Sequence, residues 1–436
     1  MERTLTKDLK NKAGQQVKLQ GFVQTNRSQG SIQFLILRDI SGTVQVVVFD
    51  KALLEQTKHL STESVVEIIG EAKDEPKAFS GVEVAATSVT VLSAADPELP
   101  IPVVEKGNMN EADREIRLDW RFLDLRKPNR QLIYKVWTDL EKSFVDFLTT
   151  KSYIEIHSPK MMSTPSESGA ELFEVKYFDR KAYLAQSPQF YKQMAMAAGF
   201  ERVFEIGPVF RAEPSFTTRH ATEFQGFDLE KSFIESHQDI IKEEEEMLAF
   251  TIEKIKAKYG EEIKEHFDRE VVIPTLPFPQ ITLADAKKIL SERGISSEKE
   301  DDLSPEEERG ISEYVKEKHG HEFVFITEYP HGGRAFYHMR LESDPNLTKG
   351  FDLLWNGIEI TTGAQREHRY DVLVKQAEER NMPLEGLQFY FDFFKYGCPP
   401  HGGFGAGPER MMMKLLNLES IREVSFLYRG VKRLTP

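Results

Sequence analysis

One stretch of the chain, residues 203–230, is dense in side chains that can bind a nucleotide. Its pattern predicts a strand, a polar turn at PSFTTRH and a second strand, which together form a hairpin. Cationic side chains can bind phosphates, and an aromatic ring can stack on a base. The candidates on or beside this hairpin are Arg211, Glu213, Arg219, His220, Phe224 and Asp228. Taken alone, the same pattern also fits a partly buried hairpin with a surface ion cluster.

Acidic residues near the C-terminus could bind a divalent cation. The stretch KGFDLLWNGIEITTGAQREH, residues 349–368, reads as strand structure and contains Asp352, Glu359 and Arg366. Carboxylates that face one another at strand ends provide the oxygen ligands that such cations prefer. The alternative is a pair of carboxylates at a sheet edge with no ligand.

A glycine-rich segment, HGGFGAG at residues 401–407, comes shortly before the C-terminus. We predict a loop whose backbone can approach a ligand closely, because glycine has no side chain. Pro408, Glu409 and Arg410 then begin a helix whose Met and Leu residues face the core. A glycine-rich loop is a weak signal alone, so its meaning depends on its neighbours in the fold.

Several elements must hold these side chains in place. Apolar residues at helical spacing predict a helix over 131–151, a short strand leads to Pro159, and a second helix begins near Gln189 and Lys192. The segment 236–320 is predicted to be mostly helical, with its glutamate run 243–246 on a solvated face. Further strands are predicted at 322–330, 334–341 and 389–400.

The N-terminal part has a different pattern. Five segments between residues 16 and 93 alternate between apolar and polar residues, and a helix-like piece follows the third. This layout predicts an OB barrel, a fold that binds oligonucleotides on one face. Phe34, Gln45 and Arg27 are candidates for that face. The alternatives are core packing for Phe34 and a solvated surface charge for Arg27.

Composition limits the class of protein. The 436 residues suggest two or three domains, and the net charge of -14 excludes a general basic surface for nucleic acid. The single cysteine, Cys398, reads as a structural thiol and fits a reducing cytosol, so we expect a cytoplasmic protein. The N-terminus lacks the apolar core of a signal peptide, and no run reaches the roughly 18 apolar residues of a membrane span.

Taken together, these motifs resemble the aspartyl-tRNA synthetases of the archaeal and eukaryotic type, a group of class II aminoacyl-tRNA synthetases. The resemblance covers nearly the whole chain. It rests on Pro159, on FRAE, TRH and EF between Phe210 and Phe224, and on GAGPER at 405–410. It also includes the strings SPQFYKQ, GAQREH and the terminal RLTP.

The resemblance implies an α+β protein with an OB-fold anticodon-binding domain at 1–104, a hinge at 105–130 and a class II catalytic domain at 131–436. The catalytic domain would contain a central antiparallel sheet flanked by helices, with the helical segment at about 236–320 as an insertion. The region around Pro159 would lie in a homodimer interface.

The implied reaction has two steps. ATP and L-aspartate form aspartyl-adenylate and pyrophosphate, and the aspartyl group then passes to the terminal ribose of tRNA(Asp). In this resemblance Arg211 binds the α-phosphate, Phe224 and Arg410 enclose adenine, and Arg410 and His220 lie near the γ-phosphate. Glu213 contacts ATP, and Arg219 is a further cation of the ATP site. Asp352 and Glu359 would bind Mg²⁺.

For the amino acid, the resemblance implies that Lys192 and Arg366 bind the aspartate side chain. Gln189, Asp228 and Ser187 would bind its α-ammonium group. Ser166 and Glu167 would belong to a loop that closes over aspartate. Ser168 stands in this loop where relatives commonly have glycine.

In the barrel, the resemblance implies that Arg27, Phe34 and Gln45 read the anticodon, with Glu83 as a further contact. Relatives restricted to tRNA(Asp) tend to have Trp at the position of Gln24, and an accompanying Lys is replaced here by Phe79. We therefore hypothesise that tRNA(Asn) is a second substrate. The rival interpretations are an asparaginyl-tRNA synthetase, a catalytically dead RNA-binding relative, and an amide-forming relative that would usually lack the barrel.

Overall fold

The computed structural model describes residues 1–104, 111–164, 172–215, 217–297, 299–382 and 384–436. Its internal contacts divide the chain into two units, Met1–Asp124 and Leu125–Pro436. Within the described ranges, none of the helices is both long and apolar enough to span a bilayer.

The first unit contains a closed five-stranded barrel. Its strands are β1 (Gln16–Gln29), β2 (Ile32–Asp39), β3 (Gly42–Val48), β4 (Val65–Asp74) and β5 (Val82–Ser93), in the spatial order β1-β2-β3-β5-β4. Helix α1 (Lys51–Thr57) follows the third strand, and Asp50 caps it by accepting from the backbone N–H groups of Ala52 and Leu53. A 3₁₀ helix (Thr6–Lys12) precedes the barrel, and α2 (Arg114–Asp119) and α3 (Arg121–Asp124) end the unit.

Alternation along each strand explains the barrel core. Mostly apolar residues at every second position of β1, β2 and β4 point inward. The buried apolar side chains form one continuous cluster, since successive side chains of a strand point to opposite faces. The predicted OB barrel with a helix after its third strand is confirmed.

The second unit is built on an eight-stranded sheet in the order β12-β13-β14-β15-β16-β11-β10-β6. All its pairs are antiparallel except β6–β10 and β12–β13. The strands are β6 (Ile154–Glu155), β10 (Arg202–Phe210), β11 (Glu223–Ser232), β12 (Gln280–Thr282), β13 (Phe323–Thr327), β14 (Gly350–Trp355), β15 (Ile358–Arg366) and β16 (His401–Ala406). A small sheet contains β7 (Met161–Met162), β8 (Glu174–Tyr177) and β9 (Arg180–Leu184).

Helices flank the large sheet. They are α4 (Pro128–Thr150), α5 (Gln189–Ala197), α6 (Gln238–Phe267), α7 (Leu283–Glu292), α8 (Pro305–His319), α9 (Tyr370–Glu378), α10 (Leu384–Lys395), α11 (Pro408–Leu415) and α12 (Ile421–Val424). The expected class, a barrel followed by a sheet with flanking helices, is therefore correct.

Two of the predicted strands are wrong. Residues 389–400 do not form a strand, because their aromatic side chains belong to α10. Leu387, Tyr390, Phe391 and Phe394 repeat at helical spacing and are buried together. Residues 334–341 form only isolated bridges, such as His338 with Arg366. Aromatic composition favoured strands in both places, and packing overrode it.

The glutamate run of α6 is also not solvated. Glu243, Glu244 and Glu245 are buried, with 5%, 0% and 5% of their surfaces exposed. Glu243 pairs with Lys151 at 2.9 Å and with Lys231 at 2.8 Å, and Glu245 accepts from a backbone N–H at 2.8 Å. These carboxylates can be buried because ion pairs and a hydrogen bond compensate most of the cost of removing them from water.

The glycine-rich segment 401–407 is mainly strand β16, in the sheet between β11 and β15, rather than a loop. A Cβ on Gly403 would lie 2.0 Å from the Leu229 carbonyl oxygen and 2.5 Å from Glu230 Oε2. Glycine is required at this position because the backbone of β11 and a buried carboxylate occupy that space. Only the end of the segment, Gly405–Gly407, lines the cavity described below.

The carboxyl group of Glu244 allows the burial of the glutamate run to be tested. Burial raises the pKa of its carboxyl to about 8, and the nearby carboxylates of Glu245 and Asp352 add to the shift. The folded state then binds more protons than the unfolded state between the ordinary carboxyl pKa and about 8. The free energy of unfolding should fall as the pH rises through this window and level off above it.

We therefore expect Glu244→Gln, which cannot ionise, to be more stable than the wild type at pH 9 by a few kcal/mol. At pH 4.5 the two proteins should be nearly equal in stability. Urea unfolding at several pH values measures this difference, with Glu253→Gln on the exposed side of α6 as the control. A pH-independent difference between Glu244→Gln and the wild type would contradict the assignment.

Candidate active site

A cavity of about 290 Å³ opens in the second unit, where β10, β11, β15, β16, α5 and α11 converge. Eleven residues predicted from the sequence line it: Ser187, Gln189, Arg211, Glu213, Arg219, His220, Phe224, Asp228, Glu359, Arg366 and Arg410. The hairpin 203–230 and the C-terminal segments, which are far apart in sequence, therefore meet in one place.

One end of the cavity is cationic and aromatic. Arg211 follows β10, and its guanidinium lies 5.5 Å from the centre of the Phe224 ring on β11. Burial lowers the pKa of His220 to about 4, and the nearby Arg410, Arg219 and Arg211 add to this shift. The imidazole is therefore neutral at pH 7 and can act there as a hydrogen-bonding group, while the arginines supply the charge.

Arg410 joins the first turn of α11 to β15. Its Nη1 donates to the Glu359 carbonyl oxygen at 2.8 Å and lies 3.3 Å from Glu359 Oε1. Thr362 Oγ1 also donates to Glu359 Oε1 at 3.2 Å. These contacts fix the carboxylate of Glu359 at the cavity wall, beside the cationic end.

Asp352 and Glu359 form the predicted pair of metal ligands. Burial raises the pKa of Glu359, and the neighbouring Asp352 raises it further. Two carboxylates that repel each other in a buried place are suited to a divalent cation. The described part of the chain contains no group of three or more His, Cys, Asp or Glu side chains arranged to hold a metal. A cation here would therefore need ligands from a bound substrate or from water.

Sequence reasoning missed the partner of Asp352. Arg334 donates to both carboxylate oxygens, at 2.8 Å and 2.5 Å, and its guanidinium lies 3.4 Å from the centre of the Tyr329 ring. Asp352 itself does not line the cavity. The pattern of the sequence contains no signal for this pair, because Arg334 lies in an irregular segment.

The other end of the cavity contains a buried cluster of four charged side chains. Lys192 Nζ, on α5, lies 2.8 Å from Asp228 Oδ1 and 3.4 Å from Glu230 Oε2, and it donates to the Phe404 carbonyl oxygen at 3.1 Å. Arg366 Nε donates to Glu230 Oε1 at 3.0 Å. The two cations and two carboxylates sum to zero charge, with Asp228 and Arg366 at the cavity wall.

Glu230 is the member that sequence reasoning missed. It is fully buried, and although burial alone would raise its pKa, Arg366 and Lys192 hold that pKa below the ordinary value. The sequence does contain a signal that places Glu230 in this cluster. Glu230 stands two residues after Asp228 on β11, so the strand period places both carboxylates on the same face.

A hydrogen-bonded chain supports α5 from behind. His401 Nδ1 lies 2.8 Å from the Pro399 carbonyl oxygen, which can only accept, so this nitrogen is assigned the proton. His401 Nε2 then accepts from the Gln193 amide at 3.0 Å, and Gln193 Oε1 accepts from the Tyr390 hydroxyl at 2.9 Å. The chain orients the turn of α5 that carries Lys192.

The remaining predicted residues lie elsewhere. Ser166 and Glu167 fall outside the described residues. In the first unit, cross-strand pairing places Arg27 beside Phe34 and Gln45 beside Glu83, with all four on the outer face of the barrel. Gln45 Nε2 donates to Glu83 Oε2 at 3.1 Å. The two pairs lie on adjacent strands, a layout that suits an extended oligonucleotide.

Comparison with known proteins gives the same picture of both units. Residues 113–429 match the family model of the tRNA synthetases class II (D, K and N), and residues 17–92 match that of the OB-fold nucleic acid binding domain. The chain is 44% identical to the Aspartate--tRNA(Asp/Asn) ligase of Methanopyrus kandleri, over 97% of this chain and 96% of that protein. It is 40% identical to the Aspartate--tRNA(Asp) ligase of Pyrococcus abyssi, over 97% of each chain.

Among solved structures, the fold is similar to asparaginyl-tRNA synthetase from Pyrococcus horikoshii complexed with asparaginyl-adenylate. The TM-score is 0.93, the sequence identity is 34%, and the match covers 100% of both chains.

The four-charge cluster can be tested by stability. Glu230→Gln keeps the shape of the side chain but leaves two buried cations with one carboxylate. Removing one partner of a buried charge pair typically costs about 3–5 kcal/mol. We expect a comparable loss in urea unfolding at pH 7, whereas Glu235→Gln, at an exposed position, should change nothing. A wild-type midpoint for Glu230→Gln would contradict the cluster.

Proposed function

The chain belongs to the class II tRNA synthetases of the D, K and N group, and we propose that it is an aspartate–tRNA ligase. The enzyme activates L-aspartate with ATP to form aspartyl-adenylate and pyrophosphate. It then transfers the aspartyl group to the 3′ end of tRNA(Asp). The main support is that the cationic, aromatic end and the four-charge end meet in one cavity.

The cationic end binds ATP in this proposal. Adenine stacks on Phe224 and is covered by Arg410, and Arg211 holds the α-phosphate with its planar fork. Arg219 and the neutral His220 serve the remaining phosphates, and Glu213 contacts the nucleotide. The donors are fixed before the ligand arrives, because Arg211 and Arg410 are held against Phe224 and Glu359.

Adenylate formation needs positioning more than proton transfer. The nucleophile is the α-carboxylate of aspartate, which is already ionised at pH 7. The site must place this carboxylate in line with the α-phosphorus and stabilise the negative charge that spreads over the phosphoryl oxygens. Arg211 is the catalytic residue, because its charge lies where that charge develops.

Asp352 and Glu359 are the residues that would hold Mg²⁺. When bound, the cation neutralises phosphate charge and steadies the leaving pyrophosphate. The raised pKa of Glu359, caused by burial and by the neighbouring Asp352, supports the assignment. In the free protein Arg334 donates to both carboxylate oxygens of Asp352 and so orients this side chain.

The four-charge end binds aspartate. Lys192 and Arg366 attract the side-chain carboxylate, while Ser187, Gln189 and Asp228 bind the α-ammonium group. Ser166 and Glu167 belong to the loop that closes over the amino acid. Arg366 lines the cavity and would contact the side-chain carboxylate of aspartate, whereas Lys192, which is not among the lining residues, would attract it through its charge. Asparagine, which has no charge there, is bound poorly.

The outer face of the barrel reads the anticodon through Arg27, Phe34, Gln45 and Glu83. We propose a homodimer through the region of Pro159, in the cytoplasm. The proposed domains are an anticodon-binding domain at 1–104, a hinge at 105–130 and a catalytic domain at 131–436, with a helical insertion at about 236–320.

The alternative is an asparaginyl-tRNA synthetase, which the similarity to the Pyrococcus horikoshii structure favours. ATP–pyrophosphate exchange in the presence of aspartate or asparagine separates the two. Exchange with aspartate alone supports the proposal, and exchange with asparagine alone overturns it. Silence with both amino acids would indicate a catalytically dead relative.

Arg211→Ala tests the division of labour. We expect ATP–pyrophosphate exchange to fall by at least about a thousandfold, because an arginine that stabilises phosphoryl charge has effects of this order. Binding of tRNA(Asp) in a filter assay should remain near the wild-type value. Arg180→Ala, at an exposed arginine of β9, is the control. Loss of both exchange and tRNA binding would contradict separate sites.

A second prediction concerns the range of tRNAs. We propose that the enzyme also charges tRNA(Asn), because Gln24 is half-buried and Phe79 is 61% exposed at positions where discriminating relatives carry other residues. Charging assays with both tRNAs test this. Gln24→Trp should reduce charging of tRNA(Asn) about tenfold more than that of tRNA(Asp). Gln16→Trp, at the exposed start of β1, is the control. No wild-type activity on tRNA(Asn) would overturn the proposal.

A further inference from the structure

Helix α8 contacts two residues of the cavity wall, Arg219 and Glu359, through the side chain of Glu308. Glu308 is 4% exposed, and its Oε2 accepts from Arg219 Nη1 at 2.5 Å. The same oxygen lies 3.3 Å from the backbone nitrogen of Glu359, which donates to it. A single carboxylate oxygen thus joins the cavity arginine on the hairpin turn to the start of β15. No residue of α8, Glu308 included, is among the residues that line the cavity, so Glu308 contacts the cavity wall from behind.

The carboxylate of Glu308 is held firmly because α8 is fixed at several points. Ser304 and Glu307 form a capping box at its first turn, and Glu307 also pairs with Lys287 at 2.7 Å. Ile311 is buried in the core beneath. The helix also packs closely on the turn between β14 and β15, where a Cβ on Gly357 would lie 3.0 Å from Arg309 Cα.

Arg219 has a long side chain that a hydrogen-bond partner can order. It lies on the polar turn between β10 and β11, and 19% of its side chain is exposed. A guanidinium has five N–H donors, so the contact through Nη1 leaves donors that can face a ligand in the cavity. Ordering a long side chain before binding reduces the entropy that is lost when the ligand arrives.

We propose that Glu308 is a positioning residue for ATP, which holds the guanidinium of Arg219 at the cavity wall so that its remaining donors meet the phosphates. The proposal rests on the function proposed above. Glu308 does not touch the nucleotide. It acts through Arg219. Its contact with the Glu359 backbone also holds Glu308 and Arg219 in place relative to Asp352 and Glu359.

The test is a double-mutant cycle in ATP–pyrophosphate exchange. Glu308→Gln keeps the shape but loses the charge that orients Arg219. We expect KM for ATP to rise about tenfold and KM for aspartate to stay within about twofold, because loss of a charged hydrogen bond has effects of this size. Arg219→Ala should show the same split. The double variant should be no more than about threefold worse than Arg219→Ala.

Glu306→Gln, at an exposed position on the same turn of α8, is the matched control and should leave both constants unchanged. Unchanged or lower KM for ATP in Glu308→Gln overturns the proposal, and so does a double variant whose losses multiply. Equal rises in KM for ATP and aspartate also overturn it, since they indicate general structural damage. If Glu308→Gln does not fold, Glu308→Asp is measured by the same criteria.

Failure of the proposed function can be distinguished from failure of the positioning role, because the wild type would then show no aspartate-dependent exchange. In that case calorimetric titration with a non-hydrolysable ATP analogue replaces the exchange assay. Weaker binding in Glu308→Gln that disappears in the Arg219→Ala background supports the positioning role, and equal binding in all variants overturns it.

Discussion

The site depends on holding four charged side chains together against the middle of a sheet, where they are largely buried. Lys192, Asp228, Glu230 and Arg366 compensate one another, and an isolated charge in that environment would be very costly. Space for the carboxylates exists only because β16 has glycine beside them. A Cβ at Gly403 would meet Glu230, and one at Gly405 would lie 3.0 Å from Asp228 Oδ1. The backbone path of β16, its glycine residues and the four-charge cluster therefore constrain one another.

Strand β11 connects the two ends of the cavity. Phe224, Asp228 and Glu230 stand at even positions of the strand, so one face presents the aromatic ring and then the carboxylates. A shift of one residue in its pairing with β10 would move all of them to the opposite face. The nine paired positions of that ladder thus set the distance between the aromatic end of the cavity and the four-charge cluster. The spacing of the two ends of the cavity is in this sense a property of the sheet register.

Much of the site was readable from the sequence because contact with substrate restricts residue type and spacing. The hairpin with Arg211 and Phe224, the segment with Glu359 and Arg366, and Arg410 all meet as expected. The failures have physical causes. Aromatic residues of α10 have strand propensity, but their helical spacing gave them a buried face. Glu243–Glu245 resemble a solvated run, but Glu243 is buried because it forms ion pairs with Lys151 and Lys231.

The residues that sequence reasoning missed share one feature: they compensate charge on other protein groups. Arg334 balances Asp352, Glu308 balances Arg219, and Glu230 balances Lys192 and Arg366. A substrate contact must have a given shape at a given place, whereas a counter-ion needs only the correct sign and sufficient reach. Any neighbouring segment can supply one, including an irregular stretch or a helix without a motif. Motifs therefore identify the groups that face the ligand, while the groups that hold them in place become visible only in the folded chain.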